Sequence, residues 1–157
     1  MTEFQFHHDL ALAILALAVP VCAAAGQQAL VANGLVVHVA SSRGEVVNTA
    51  LQEVEDYLRD ARAAGRKVKV EIVANQTGMD ILRSDTSAYA KRLEQLHAAY
   101  PNLTFIACNQ TADRLREKGV KVKLLPGVHY APTALDEIVK RMQQGRLRLT
   151  RIVSGSV

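Results

Sequence analysis

Leu103-Thr-Phe-Ile-Ala-Cys-Asn-Gln-Thr111 joins a short apolar run to a polar, helix-compatible one. Leu103 to Ala107 has the length and composition of a buried parallel strand. Gln110 to Lys118 reads as a helix, with Asn109 or Thr111 as its N-cap and Gly119 as its stop. In an open α/β sheet, ligands gather outside the carboxyl ends of the strands, and Cys108 stands at such an end. The N–H groups and dipole of a helix start favour an anion, and the thiolate is the reactive form of cysteine. The same position equally suits an inert packing residue, because free cysteine is among the most buried residue types.

Outward from this junction the same step recurs. Leu35 to Ala40 is a first strand, and Ser42 with Glu45 has the spacing of a capping box. Val47, Ala50, Leu51, Val54, Leu58 and Ala61 then repeat at helical intervals up to Gly65. Val68 to Ala74 is a second strand, Asn75 to Gly78 a loop, and Met79 to Leu82 one helical turn. Tyr89, Leu93 and Leu96 mark a helix that Pro101 ends. Val128 to Ala131 is a fourth strand. Thr133 and Asp136 form another capping box, with Leu135, Ile138, Val139 and Met142 on one helix face before Gly145. Leu147 to Ile152, with its polar alternation, is a fifth strand suited to a sheet edge. The predicted fold is α/β, a three-layer α/β/α arrangement around a mainly parallel five-stranded sheet. Its strand ends would gather Ser41 and Ser42, Asn75 to Gly78, Cys108 to Thr111, and Pro132 with Thr133.

The chain has 157 residues, enough for one domain with a full-sized core and no disulfide staple. No charged side chain lies between Asp9 and Arg43, and Leu10 to Val21 is nearly all Leu, Ala, Ile and Val. With Ala23-Ala24-Ala25 as a small-residue cleavage site, residues 1–25 read as a signal peptide, 26–34 as a short extension and 35–157 as the single domain. The expected location is periplasmic or secreted, without stable membrane insertion after cleavage. Residues 1–9 contain no Lys or Arg, so a membrane anchor formed by residues 10–25 is the alternative, although the run is short against the roughly 20 residues of a spanning helix. Cleavage would remove Cys22 and leave Cys108 with no internal partner, which marks it as a reactive, intermolecular or fully buried thiol.

The formal charge is +4, but the basic residues are scattered, Trp is absent and aromatics make up 4%. Nucleic-acid binding calls for a basic stripe with stacking aromatics, so no nucleic-acid partner is expected. Neither G-x-G-x-x-G after the first strand nor G-x-x-x-x-G-K-[ST] occurs, which removes support for dinucleotide and P-loop chemistry. Cys108 has no C-x-x-C partner, against a thioredoxin-type dithiol. His38 and His129 fall on strands, where a lone histidine is more often hydrogen-bonded than metal-bound. His7, His8 and His97 form no ligand cluster. No metal and no cofactor are expected.

Val36-Val-His-Val39, Asn48-Thr-Ala-Leu51, Val73-Ala-Asn75 with Gly78, and Ala107-Cys-Asn-Gln-Thr111 together resemble the DsrE/DsrF-like family. Leu124-Leu-Pro-Gly-Val128, Pro132, and Gln143 with Gly145 fit the same family, so the resemblance runs from about Leu35 to Ile152. It implies a parallel five-stranded sheet and a homo-oligomer, trimer or hexamer. It also implies sulfur handling, with sulfane sulfur carried as a persulfide on a cysteine that matches Cys108. In that reading Cys108 is nucleophile and carrier, a sulfur transferase or carrier in function. Backbone N–H groups of Asn109 to Thr111 would stabilise its charge, and Asn75, Gly78, Asn109, Thr111 and His129 would line the substrate site. A sulfur donor and an acceptor protein would be its partners. The alternative is a non-catalytic oligomeric module that binds a small ligand at the same junctions, with Cys108 structural.

Overall fold

The computed structural model describes residues 33–151. The expected signal peptide, nearly all of the 26–34 extension, Cys22 and Ile152 lie outside the described residues. Five strands, β1 (Gly34–Val39), β2 (Lys69–Ala74), β3 (Leu103–Cys108), β4 (Val128–Ala131) and β5 (Leu147–Arg151), form one sheet in the order β4-β3-β2-β1-β5. Every pairing is parallel, as the alternation of strands and helices predicts. Between them run α1 (Gly44–Ala63), a 3-10 segment (Gln76–Leu82), α2 (Ala90–Ala99), α3 (Asn109–Glu117) and α4 (Ala134–Gln143).

Strand order and handedness together decide which face each helix covers. Crossovers between parallel strands are right-handed almost without exception. The steps β1 to β2, β2 to β3 and β3 to β4 all move the same way across the sheet, so their helices share one face. The step from β4 to β5 returns past β1, which puts α4 on the other face. Burial follows this division. Val37, Val39, Ile72, Ala74, Phe105 and Ala107 pack with Val47, Leu51, Val54 and Leu58 of α1, Leu93 and Leu96 of α2, and Ala112 of α3. Val36, Val73, Ile106 and Cys108 point the opposite way and pack with Ala131 and with Ala134 and Ile138 of α4. Among the described helices, α4 alone serves this second face. None of them is long and apolar enough to cross a membrane.

Three local expectations are corrected. Ser42 and Glu45 do not form a capping box: Arg43 occupies the cap position without a side-chain bond. Instead the Ser42 N–H donates to Thr77 Oγ1 (3.3 Å) and the Arg43 N–H to Ser41 Oγ (3.2 Å), so contacts with the next junction displace the local motif. Neither Asn109 nor Thr111 caps α3, because both lie inside its first turn and Cys108 holds the cap position. Finally, Leu135, Ile138, Val139 and Met142 do not share a buried face. Ile138 is buried, while Leu135, Val139 and Met142 are 62%, 43% and 45% exposed. The inner side of α4 carries Glu137 and Arg141 instead, because the sheet below presents the carboxylate of Glu71. At the other expected capping box Thr133 does cap α4, its Oγ1 accepting from the Asp136 N–H at 3.1 Å.

Candidate functional site

The carboxyl ends of β1, β2, β3 and β4 are stitched together by a series of hydrogen bonds. The Asn75 N–H donates to Val39 O (3.2 Å), the Gln76 N–H to Thr111 Oγ1 (3.2 Å), and the Gln110 N–H to Pro132 O (3.2 Å). Gly78 brings the 3-10 segment against β1 so closely that a Cβ there would lie 2.2 Å from Val39 O. Only glycine permits that approach. Asn75, Gly78, Cys108 and Thr111 are therefore gathered at one end of the sheet.

Cys108 ends β3 and is 2% exposed. Its side chain belongs to the second-face cluster with Val73, Ile106, Ala131 and Ala134. Ala74 pairs with Ala107, and Asn75 and Cys108 are the residues that follow on the two strands. Of the three N–H groups expected to face the thiol, that of Gln110 is committed to Pro132 O.

The other two expected residues are less central. Asn109 turns to its own helix, donating from Nδ2 to Asp113 Oδ2 (2.8 Å) and accepting from Arg116 Nη1 (3.4 Å). His129 sits on the edge strand β4 in register with Ile106, two residue pairs below the Cys108–Ala131 rung. It is exposed and borders a groove of about 280 Å³ with Glu71, Thr104, Glu137 and Arg141.

Sequence reasoning gave His38 no part in the site. Its Nε2 lies 3.0 Å from Asn75 Oδ1, and its Nδ1 is buried with no partner. Because an amide oxygen only accepts, the Nε2 carries the proton and Nδ1 is left as a bare lone pair. Burial holds the pKa of His38 below its usual value near 6.5; the bond to Asn75 opposes this and Arg148 adds to it. His38 also stands near the point where the sheet order reverses, in register with Thr150 of β5. Open α/β sheets place ligands at that crevice. The available signal was a polar residue in an otherwise apolar strand, with an amide waiting at the end of the next.

This histidine makes stability depend on pH in a defined direction. A histidine whose folded pKa is depressed contributes stability above its unfolded value, and that stability is lost as pH falls through the folded value. Urea midpoints measured from about pH 7 down to about pH 5 should fall more steeply for the native chain than for His38→Gln. Parallel curves for the two would show that His38 is not buried as a neutral base.

No family model and no curated protein matches the chain. Solved structures similar to it include two that cover most of its described length. One is MTH1491 of Methanobacterium thermoautotrophicum, a protein of unknown function, at 26% identity and a TM-score of 0.63, covering 74% of this chain and 96% of that one. The other is the ychN protein from E. coli, at 17% identity and a TM-score of 0.54, covering 75% of this chain and 98% of that one. The chain has the DsrE/DsrF-like α/β fold.

Proposed function

We propose that the protein carries sulfane sulfur as a persulfide on Cys108. The observation that supports this is positional: on a DsrE/DsrF-like fold, a free thiol ends β3 at the start of α3. The Cys108 thiolate attacks the outer sulfur of a persulfide donor. A new Sγ–S bond forms, the donor S–S bond breaks, and the donor leaves as a thiolate. No net oxidation occurs, and an acceptor thiolate removes the sulfur by the same step in reverse.

The burial of Cys108 favours a second reading, a non-catalytic oligomeric module in which the thiol is packing. One experiment separates the two. Native protein treated with a low-molecular-weight persulfide should gain about 32 Da, reversibly with reductant. Cys108→Ser should gain nothing while keeping the native circular dichroism spectrum. If the thiol neither takes up sulfur nor alkylates until denaturant is added, the carrier reading is wrong and the packing reading stands.

A homo-oligomer, trimer or hexamer, is part of the same proposal. Leu135, Val139 and Met142 recur at helical spacing on the outside of α4 and are 62%, 43% and 45% exposed. Such a contiguous apolar stripe marks an interaction surface. Light scattering should report a multiple of the 17.1 kDa chain, or of its cleaved form. Val139→Glu should shift that mass towards the monomer, and a native chain that is monomeric at micromolar concentration would refute the assembly.

A further inference from the structure

Between the 3-10 segment and α3 lies a cleft of about 270 Å³. Arg114 of α3 and Lys118 at its C-cap line it, with Thr111 and Leu115 on the same helix and Gln76 and Thr77 across from them. Neither cation has an ion-pair partner among the described residues, whereas the adjacent Arg116 is paired with Asp113 at 2.6 Å. Asp80 is the single carboxylate in the lining against two cations, and Arg83, shared between Asp80 (3.1 Å) and Asp85 (2.6 Å), offsets it in part. The lining therefore keeps an unneutralised positive charge.

One hydroxyl of the lining is free to match it. Thr111 Oγ1 accepts the Gln76 N–H, which leaves its own hydrogen available to donate. Thr77 is committed differently, accepting from the Ser42 N–H and donating to Ala40 O, so it holds the wall in place. Gln76 itself sits at φ +49°, a conformation that few residues other than glycine adopt, and its bond to Thr111 helps to fix it there.

The geometry points to a small-oxyanion site: a tetrahedral dianion of the sulfate, thiosulfate or phosphate type, held by Arg114 and Lys118 with the Thr111 hydroxyl and the Gln76 side-chain amide as donors. A guanidinium fork matches the edge of such an anion, and an ammonium supplies a second charge. The cleft is just below the size range of drug-sized ligand pockets, which suits a group of a few heavy atoms. The Cys108 side chain belongs to the cluster on the opposite face, so this site does not depend on the thiol.

Amide NMR titrations with sodium thiosulfate, and separately with sodium phosphate, test the site at ionic strength held constant with sodium chloride. Saturable shifts are expected at Gln76, Thr77 and Thr111. The exposed double variant Arg114→Gln/Lys118→Gln should bind about tenfold or more weakly. Cys108→Ser should titrate as the native chain does, even if it loses all persulfide uptake. Whichever anion saturates at the lower concentration identifies the ligand as a sulfur oxyanion or a phosphate. Equal shifts with chloride, or a double variant that titrates like the native chain, would overturn the site as mere screening of surface charge.

Discussion

Gly78→Ala should be among the most damaging single-methyl changes available in this chain. The added Cβ would sit 2.2 Å from Val39 O, 2.7 Å from the Val39 carbonyl carbon and 3.0 Å from the Ser41 nitrogen. All three are backbone atoms at the end of β1, so no side chain can swing aside. Overpacking usually costs about 1–3 kcal/mol, and with backbone on every side the expected loss is at or above the top of that range. The strain has one outlet, withdrawal of the 3-10 segment from β1. That would release the Asn75–Val39 and Thr77–Ser42 bonds and the Asn75 amide that holds His38. Gly65→Ala is the matched control, since φ +65° is unfavourable but no atom lies within 4 Å of the new methyl. It should cost only the left-handed penalty of about 1–2 kcal/mol. Urea denaturation of both variants checks the contrast. Equal losses would mean that the contact between the 3-10 segment and β1 is looser than these distances require.

Gly78 also shows how far the sequence could be read. A glycine in the second junction was visible as a loop residue, but its reason, the carbonyl of Val39, belongs to a strand nearly forty positions earlier. The five strands and four helices were legible because apolar periodicity and turn residues are local signals. Handedness then implied helices on both faces. Strand order was not legible, since nothing in Leu147 to Arg151 says that β5 will lie beside β1 rather than β4. Everything that depends on that order was hidden with it, including the switch point near His38. The inner side of α4 went unread for the same reason. A scan for apolar spacing finds Leu135, Ile138, Val139 and Met142, whereas the sheet takes only Ile138 of these, together with Glu137 and Arg141. Cys108 was legible as a strand end, but its burial depends on the return of α4 across the sheet.

Glu71→Ala should destabilise the fold by about 3–5 kcal/mol, because it leaves a buried arginine without a counter-charge. Glu71 Oε2 contacts Arg146 Nη1 and lies 2.6 Å from Arg141 Nε, and Arg141 also pairs with Glu137. The side chains of Arg146 and Glu71 are 7% and 9% exposed. Arg141 would keep Glu137, but Arg146 would have no other ion-pair partner among the described residues. These ion pairs join β2 to α4 and to the turn that leads into β5, so their loss should loosen the cover of the second face. Burial raises the pKa of Glu71 above its usual value, outweighing the opposing pull of Arg146 and Arg141. A carboxyl raised in this way favours the folded state most below its unfolded pKa, and that contribution is lost as pH rises through the folded value. The charged network is therefore not the most stable filling of this space. Glu71→Leu combined with Arg146→Met should lose far less than the sum of the two single changes, because a buried pair replaced by apolar groups is often neutral. A double-mutant cycle by urea denaturation measures the difference. If the two changes prove additive and each costs under about 1 kcal/mol, the pair is solvated and does not hold α4 to the sheet.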